Sequence, residues 1–144
     1  MGTAGRIMVA MVASYAAGFV ASLFVSTDVS SWYARLAKPP LTPDNWVFFP
    51  VWIILYGLIG LGFGVMWSRQ PLWHAWNGLF FVTVAFNVAW TMFFFGYHAT
   101  LIALIDIVCL AVFLIVLVLS AWETDHRASL LLLPYMAWVI LGAY

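Results

Sequence analysis

Residues 32–56 read Trp-Tyr-Ala-Arg-Leu-Ala-Lys-Pro-Pro-Leu-Thr-Pro-Asp-Asn-Trp-Val-Phe-Phe-Pro-Val-Trp-Ile-Ile-Leu-Tyr. A polar stretch stiffened by prolines runs here without a break into an aromatic-rich apolar segment. Outside this stretch almost everything is hydrophobic: 67% of the 144 residues are apolar and 7% are charged, with a mean hydropathy of +1.08. A water-facing surface needs about 25% charged residues, so this chain is solvated by lipid. In lipid every backbone polar group must pair within the protein, which leaves helices or a closed barrel. The apolar runs are continuous rather than alternating, so they are helices.

Five runs, near 6–26, 46–67, 74–95, 100–122 and 128–144, approach the ~20 residues that cross a bilayer. The expected architecture is an all-α membrane protein: one domain over 1–144, a five-transmembrane-helix bundle with a long loop between helices 1 and 2. The first run exceeds the ~7–15 apolar residues of a secretory signal and is read as a retained span. Three later connections are short, which makes successive helices antiparallel. The exception is Thr27–Asn45, the expected roof of whatever the bundle encloses. The last span stops at Tyr144 without a polar flank, so a short further tail is expected.

Composition also excludes classes of function. Zero net charge offers no basic surface for nucleic acid. Cys109 is the only cysteine, so no internal disulfide forms. His74, His98 and His126 have no ligand spacing, and no metal site is expected. Neither a phosphate-cradling glycine loop nor a nucleophile–base motif is present. Arg6, Arg69 and Arg127 on one side against Arg35 and Lys38 on the other leave orientation undecided.

Alternating spans sort residues by depth. Trp67, Trp73, Trp76 and Trp122 fall at the end away from the loop, as an interfacial belt, and Trp32 and Trp46 at the loop side. Trp52, Trp90 and Trp138 each lie about six residues inside a span, roughly 9 Å below the loop-side end. Singly, each reads equally well as a pocket wall or as a lipid-facing or packing residue; together, at one depth on three helices, they read as pocket walls. Asn87, Trp90, Thr91 and Phe94 share a helix face, as do Phe49, Trp52 and Tyr56. Asp106, the single acid deep in a span, either faces a bundle interior or reaches interfacial water. Asn87 is either interhelical glue or its partner, with an Asn87–Asp106 contact expected. Pro50 and Pro134 loosen their helices. The result is an aromatic pocket with a few polar groups at its loop end, suited to a flat, largely hydrophobic guest. Ala13, Ala17 and Ala21, and Gly60 and Gly64, permit close helix approach within the bundle or between protomers.

Several of these residues form an ordered set: Trp32-Tyr33-x-x-Leu36-x-Lys38-Pro39-x-x-x-Pro43, Phe49-Pro50-Val51-Trp52-x-x-x-Tyr56, Phe86-Asn87-x-x-Trp90, Asp106, and Leu133-Pro134-Tyr135-x-x-Trp138. On these motifs the chain resembles the TspO/MBR family, the bacterial tryptophan-rich sensory proteins and the mitochondrial translocator protein or peripheral benzodiazepine receptor. The resemblance implies a commonly homodimeric membrane receptor or sensor that binds porphyrins and benzodiazepine- or isoquinoline-type ligands under the first loop, linked to their transport or regulation. Carried over by position, the ligand-binding residues are Tyr33, Pro43, Trp52, Tyr56, Asn87, Trp90, Thr91, Asp106, Trp138 and Gly142. A porphyrin, protoporphyrin IX or haem, is the expected ligand, and no cofactor is required. Two alternatives stay open. One is light-dependent porphyrin degradation, for which Trp52 and Trp138 would be the catalytic residues; the other is a small proton-coupled exporter using Asp106. Animal members carry a sterol-recognition segment beyond the end of this chain, so cholesterol binding is not expected. A bacterial cell membrane is the expected location, or the mitochondrial outer membrane for a eukaryotic source.

Overall fold

The computed structural model describes residues 1–25 and 29–144, and most of them are helical. The elements are α1 (Thr3–Ser22), α2 (Val29–Arg35), α3 (Asn45–Arg69), α4 (Ala75–Thr91), which a π-helical turn (Met92–Gly96) prolongs, α5 (Thr100–Thr124) and α6 (His126–Ala143); no strand occurs among the described residues. All but α2 are long and apolar enough to cross a membrane, and the chain is a multi-pass membrane protein. The later spans agree with expectation to within two or three residues. The first span ends at Ser22, earlier than the expected 26; residue 26 and the expected loop start at Thr27 lie outside the described residues. The connection, a loop by sequence, also holds a helix, α2.

Around the bundle the order is α1, α3, α6, α5, α4 and back to α1. Consecutive α3 and α4, joined by only five residues, meet through long side chains such as Phe63 and Phe80 rather than by close backbone approach. Glycines on α3 explain why α1 and α6 flank it instead. A Cβ at Gly60 would lie 2.6 Å from Met11 Cα, and one at Gly64 2.6 Å from Ile7 Cα. The G-x-x-x-G face therefore receives the backbone of α1, inside the protomer. Gly62 points elsewhere, where a Cβ would meet Leu132 of α6 at 3.2 Å. On α1 the buried residues are Ala10, Ser14 and Ala21, while Ala13 of the expected small-residue stripe is exposed.

Lipid offers no hydrogen bonds, so polar side chains in the spans bond across or along helices. Ser14 Oγ donates to the Tyr56 carbonyl (2.7 Å) and Ser129 Oγ to the Val118 carbonyl (2.8 Å). Trp76 Nε1 donates to the Leu117 carbonyl at 3.0 Å, and its ring stacks with Phe63 and Phe80. Trp76 is buried and thus belongs to the core, which corrects its expected place in the interfacial belt. Trp73 and Trp122 are exposed as a belt requires.

Beyond the spans at this end, Asp125 caps α6 by accepting from the Arg127 amide (2.9 Å) and pairs with Arg69 Nε (3.0 Å). Burial pushes its carboxyl pKa up, but the Arg127 amide, the Arg69 guanidinium and the Ala128 amide together hold it below the ordinary value. Asn77, fully buried, donates to the Pro71 and Leu72 carbonyls and ties down the turn between α3 and α4.

Candidate functional site

The opposite end of the bundle is where aromatic rings converge. Asp44 precedes α3 in extended backbone, and the first turns of the helix carry Phe48, Trp52 and Tyr56 on one side. Trp52 stacks on Tyr56 (5.4 Å between centroids) and lies edge-on to Tyr135 (6.4 Å). Phe48 stands edge-on to Trp138 of α6 (5.6 Å) and to Tyr33 of α2 (6.2 Å).

The end of α4 supplies the facing wall. Trp90 stacks on Phe94 (5.1 Å, 10°) and lies perpendicular to Phe95 (5.6 Å, 89°). Helix α2 is pinned above by its rings. Trp32 stacks on His98 (4.0 Å, 9°), and Tyr33 leans on Phe94 and Phe95. Beyond α2 the chain turns back through Lys38, whose Nζ sits 4.0 Å over the Tyr33 ring. Burial raises the Tyr33 phenol above its ordinary pKa, so it remains a neutral donor at physiological pH.

These rings enclose two cavities where the sequence led to a single slot. One, of about 500 Å³, lies between the connection, α4, α5 and α6. The other, of about 650 Å³, lies between α1, α2, α3 and α4. Tyr33, Phe48, Trp90 and Phe95 line both and form the partition. Both volumes fall in the range of small-molecule sites. Of the ten residues carried over, Tyr33, Pro43, Trp90, Trp138 and Gly142 line the first cavity. Tyr33 and Trp90 recur in the second, with Trp52, Tyr56 and Thr91. Trp52 and Trp138 therefore face different compartments.

Asn87 and Asp106 line neither of these compartments. Both are buried, at 4% and 6% exposure. Asn87 Oδ1 accepts from the Tyr56 hydroxyl at 2.8 Å, while Asp106 Oδ2 has no hydrogen-bond partner. The hydrogen bond found at Asn87 is thus with Tyr56 and not the expected contact with Asp106. The Thr91 hydroxyl bonds back to the Asn87 carbonyl (3.2 Å). Phe49 does not join the inward face of Trp52 and Tyr56; it is 76% exposed, at the outer lip of the second cavity.

Phe48, Phe95, Gly18 and Lys38 were not among the expected site residues. Phe48 precedes Trp52 by one helical turn, a spacing that could have found it. Gly18 makes room for Tyr56, since a Cβ there would lie 2.5 Å from the ring. No group of three His, Cys, Asp or Glu that could hold a metal occurs among the described residues. What the arrangement can do chemically is hold a flat apolar molecule between rings, with few polar groups to contact it.

The model of the TspO/MBR family matches residues 10–144. The chain is 34% identical over 143 residues to the tryptophan-rich protein TspO of Archaeoglobus fulgidus, which covers 96% of this chain and 90% of that protein. It is 33% identical over 130 residues to the human translocator protein, covering 84% and 74%. Protein CrtK of Rhodobacter capsulatus is 31% identical over 134 residues, covering 91% and 82%.

Proposed function

The chain belongs to the TspO/MBR family, and from that premise we propose that it is a membrane receptor or sensor that binds a tetrapyrrole beneath the first connection. The observation that carries this reading is the pair of aromatic-walled cavities joined at the Tyr33–Phe48–Trp90–Phe95 partition. Rings offer stacking area to any flat guest, and a partition made of side chains yields by rotamer changes rather than by moving helices. A macrocycle would displace the Tyr33 and Phe48 rings and stack between Trp52 and Trp138. Smaller benzodiazepine- or isoquinoline-type molecules would fit one compartment. Uptake, transport or regulation would follow from occupancy. We place the protein in a bacterial cell membrane, as a homodimer whose contact surface lies outside the G-x-x-x-G face already used by α1.

The test is titration with protoporphyrin IX, followed by quenching of tryptophan fluorescence. Replacing Trp52 and Trp138 together by Phe should weaken binding at least tenfold, the sum of two stacking contacts of about 1 kcal/mol each. Unchanged affinity would refute the assigned pocket.

A second reading, light-dependent porphyrin breakdown, is favoured by the indoles of Trp52, Trp90 and Trp138 lining the cavities. It requires that illuminated protein bleach bound porphyrin faster than detergent alone, and that the double variant abolish the difference.

A further inference from the structure

The two cavities differ in charge. Among the described residues that line them, Lys38 has the only charged side chain, and it lines only the first. Its ammonium is exposed, held 4.0 Å over the Tyr33 ring, and no carboxylate of the described residues lies within ion-pair distance of it. Pro39 and Pro40 follow directly, and each fixes its own φ and disfavours helix in the residue before it. Lys38 is therefore held at the cavity rim, where a lysine can lay its stem along apolar surface while its charge meets an anion. Arg35, nearby in sequence, lines neither cavity and donates to the Ser31 carbonyl. The polar groups expected to hold a ligand's edge, Asn87 and Asp106, are buried and line neither cavity.

We propose that Lys38 is the anion subsite of this pocket, so that its ligand is a flat apolar ring system carrying a carboxylate at one edge. The carboxylate meets Lys38 under the connection, and the rings descend past the displaced Tyr33 and Phe48 rings to stack between Trp52 and Trp138. This rests on the receptor reading above and sharpens it: acidic porphyrins are selected over neutral ones, while neutral ligands take the uncharged second cavity.

The experiment compares protoporphyrin IX, a dicarboxylic acid, with its dimethyl ester. Each is titrated into protein in nanodiscs of phosphatidylcholine alone, so that no anionic lipid competes. The diacid should bind wild type about tenfold more tightly than the ester, the size of one charge-assisted hydrogen bond. Lys38→Met should close that gap by weakening the diacid and sparing the ester, and Lys38→Arg should retain it. Should Lys38→Met lose both ligands through misfolding, the wild type still decides: salt screens an exposed charge, so high salt must weaken the diacid alone. A gap that survives Lys38→Met, or that high salt leaves untouched, overturns the assignment. Wild type that binds acid and ester equally also overturns it while leaving the receptor reading intact. Wild type that binds neither porphyrin refutes both.

Discussion

Substituting Gly60 by Ala tests the packing that shapes the second cavity. The new methyl would lie 2.6 Å from Met11 Cα, 3.1 Å from Met11 N and 3.2 Å from the Ala10 carbonyl oxygen. All three are backbone atoms, so no side chain can swing aside and α1 must retreat by roughly an ångström. Such a retreat breaks the 2.7 Å bond from Ser14 Oγ to the Tyr56 carbonyl. Overpacking costs about 1–3 kcal/mol and the lost bond about 1 kcal/mol. Against this, Ala is a better helix former than Gly by about 1 kcal/mol. The clash wins, for a net loss of about 1–3 kcal/mol. Thermal unfolding in detergent should report a lowered Tm, and affinity for a ligand of the second cavity should fall more than for one of the first, since α1 walls only the second. Gly64→Ala should behave alike, and the double variant should lose less than the sum, because one retreat relieves both clashes. An unchanged or raised Tm, with loss of crosslinked dimer in lipid, would show that these glycines face another protomer and refute the reasoning.

Trp76→Phe should cost about 1–3 kcal/mol, since it removes a buried bond to the Leu117 carbonyl and leaves a gap, whereas Trp73→Phe, at an 89% exposed position, should leave the melting temperature unchanged. Tyr56→Phe strands the buried Asn87 oxygen and should destabilise by about 1–3 kcal/mol; an unaffected melt would mean that Asn87 finds another donor. Because the folded-state pKa of Asp125 is lowered, its charge stabilises the fold above about pH 4 and that contribution disappears as pH falls through the lowered value. Asp125→Asn keeps a capping oxygen but loses the charge. Its melting curve against pH should therefore be flatter on the acid side, with a difference at pH 7 below about 1 kcal/mol because the Arg69 side chain is 58% exposed; identical pH profiles would refute this.

The spans were legible because lipid leaves an apolar run of twenty residues little choice but helix. The depth of Trp52, Trp90 and Trp138 followed from counting along those helices. Which helices touch did not, since hydropathy is blind to azimuth: Gly60 and Gly62 are two positions apart yet select different neighbours. Nor did periodicity show that Trp76 turns inward, because an indole suits an interface and a core equally well. Helix α2 is hidden in the sequence because seven residues cannot sustain a helix alone; stacking of Trp32 on His98 and of Tyr33 on the α4 rings holds it. The partition escaped notice for a similar reason. Phe95 stands five residues after Trp90, a spacing that an ordinary helix would send to another face.

That displacement comes from the π-helical turn Met92–Gly96, in which the Tyr97 amide reaches back to the Met92 carbonyl (2.9 Å). A widened turn lets the residues four and five places on straddle the one below, so Trp90 touches Phe94 with its face and Phe95 with its edge. The inserted residue acts as a phase shift that doubles the aromatic frontage of α4 without lengthening the span. Removing one residue from 92–96 would restore the α-helical pitch and swing one phenylalanine towards the acyl chains. The two compartments would then merge into a wider, less discriminating chamber. On the receptor reading, how many ligand shapes are told apart is thus written into the pitch of a single turn.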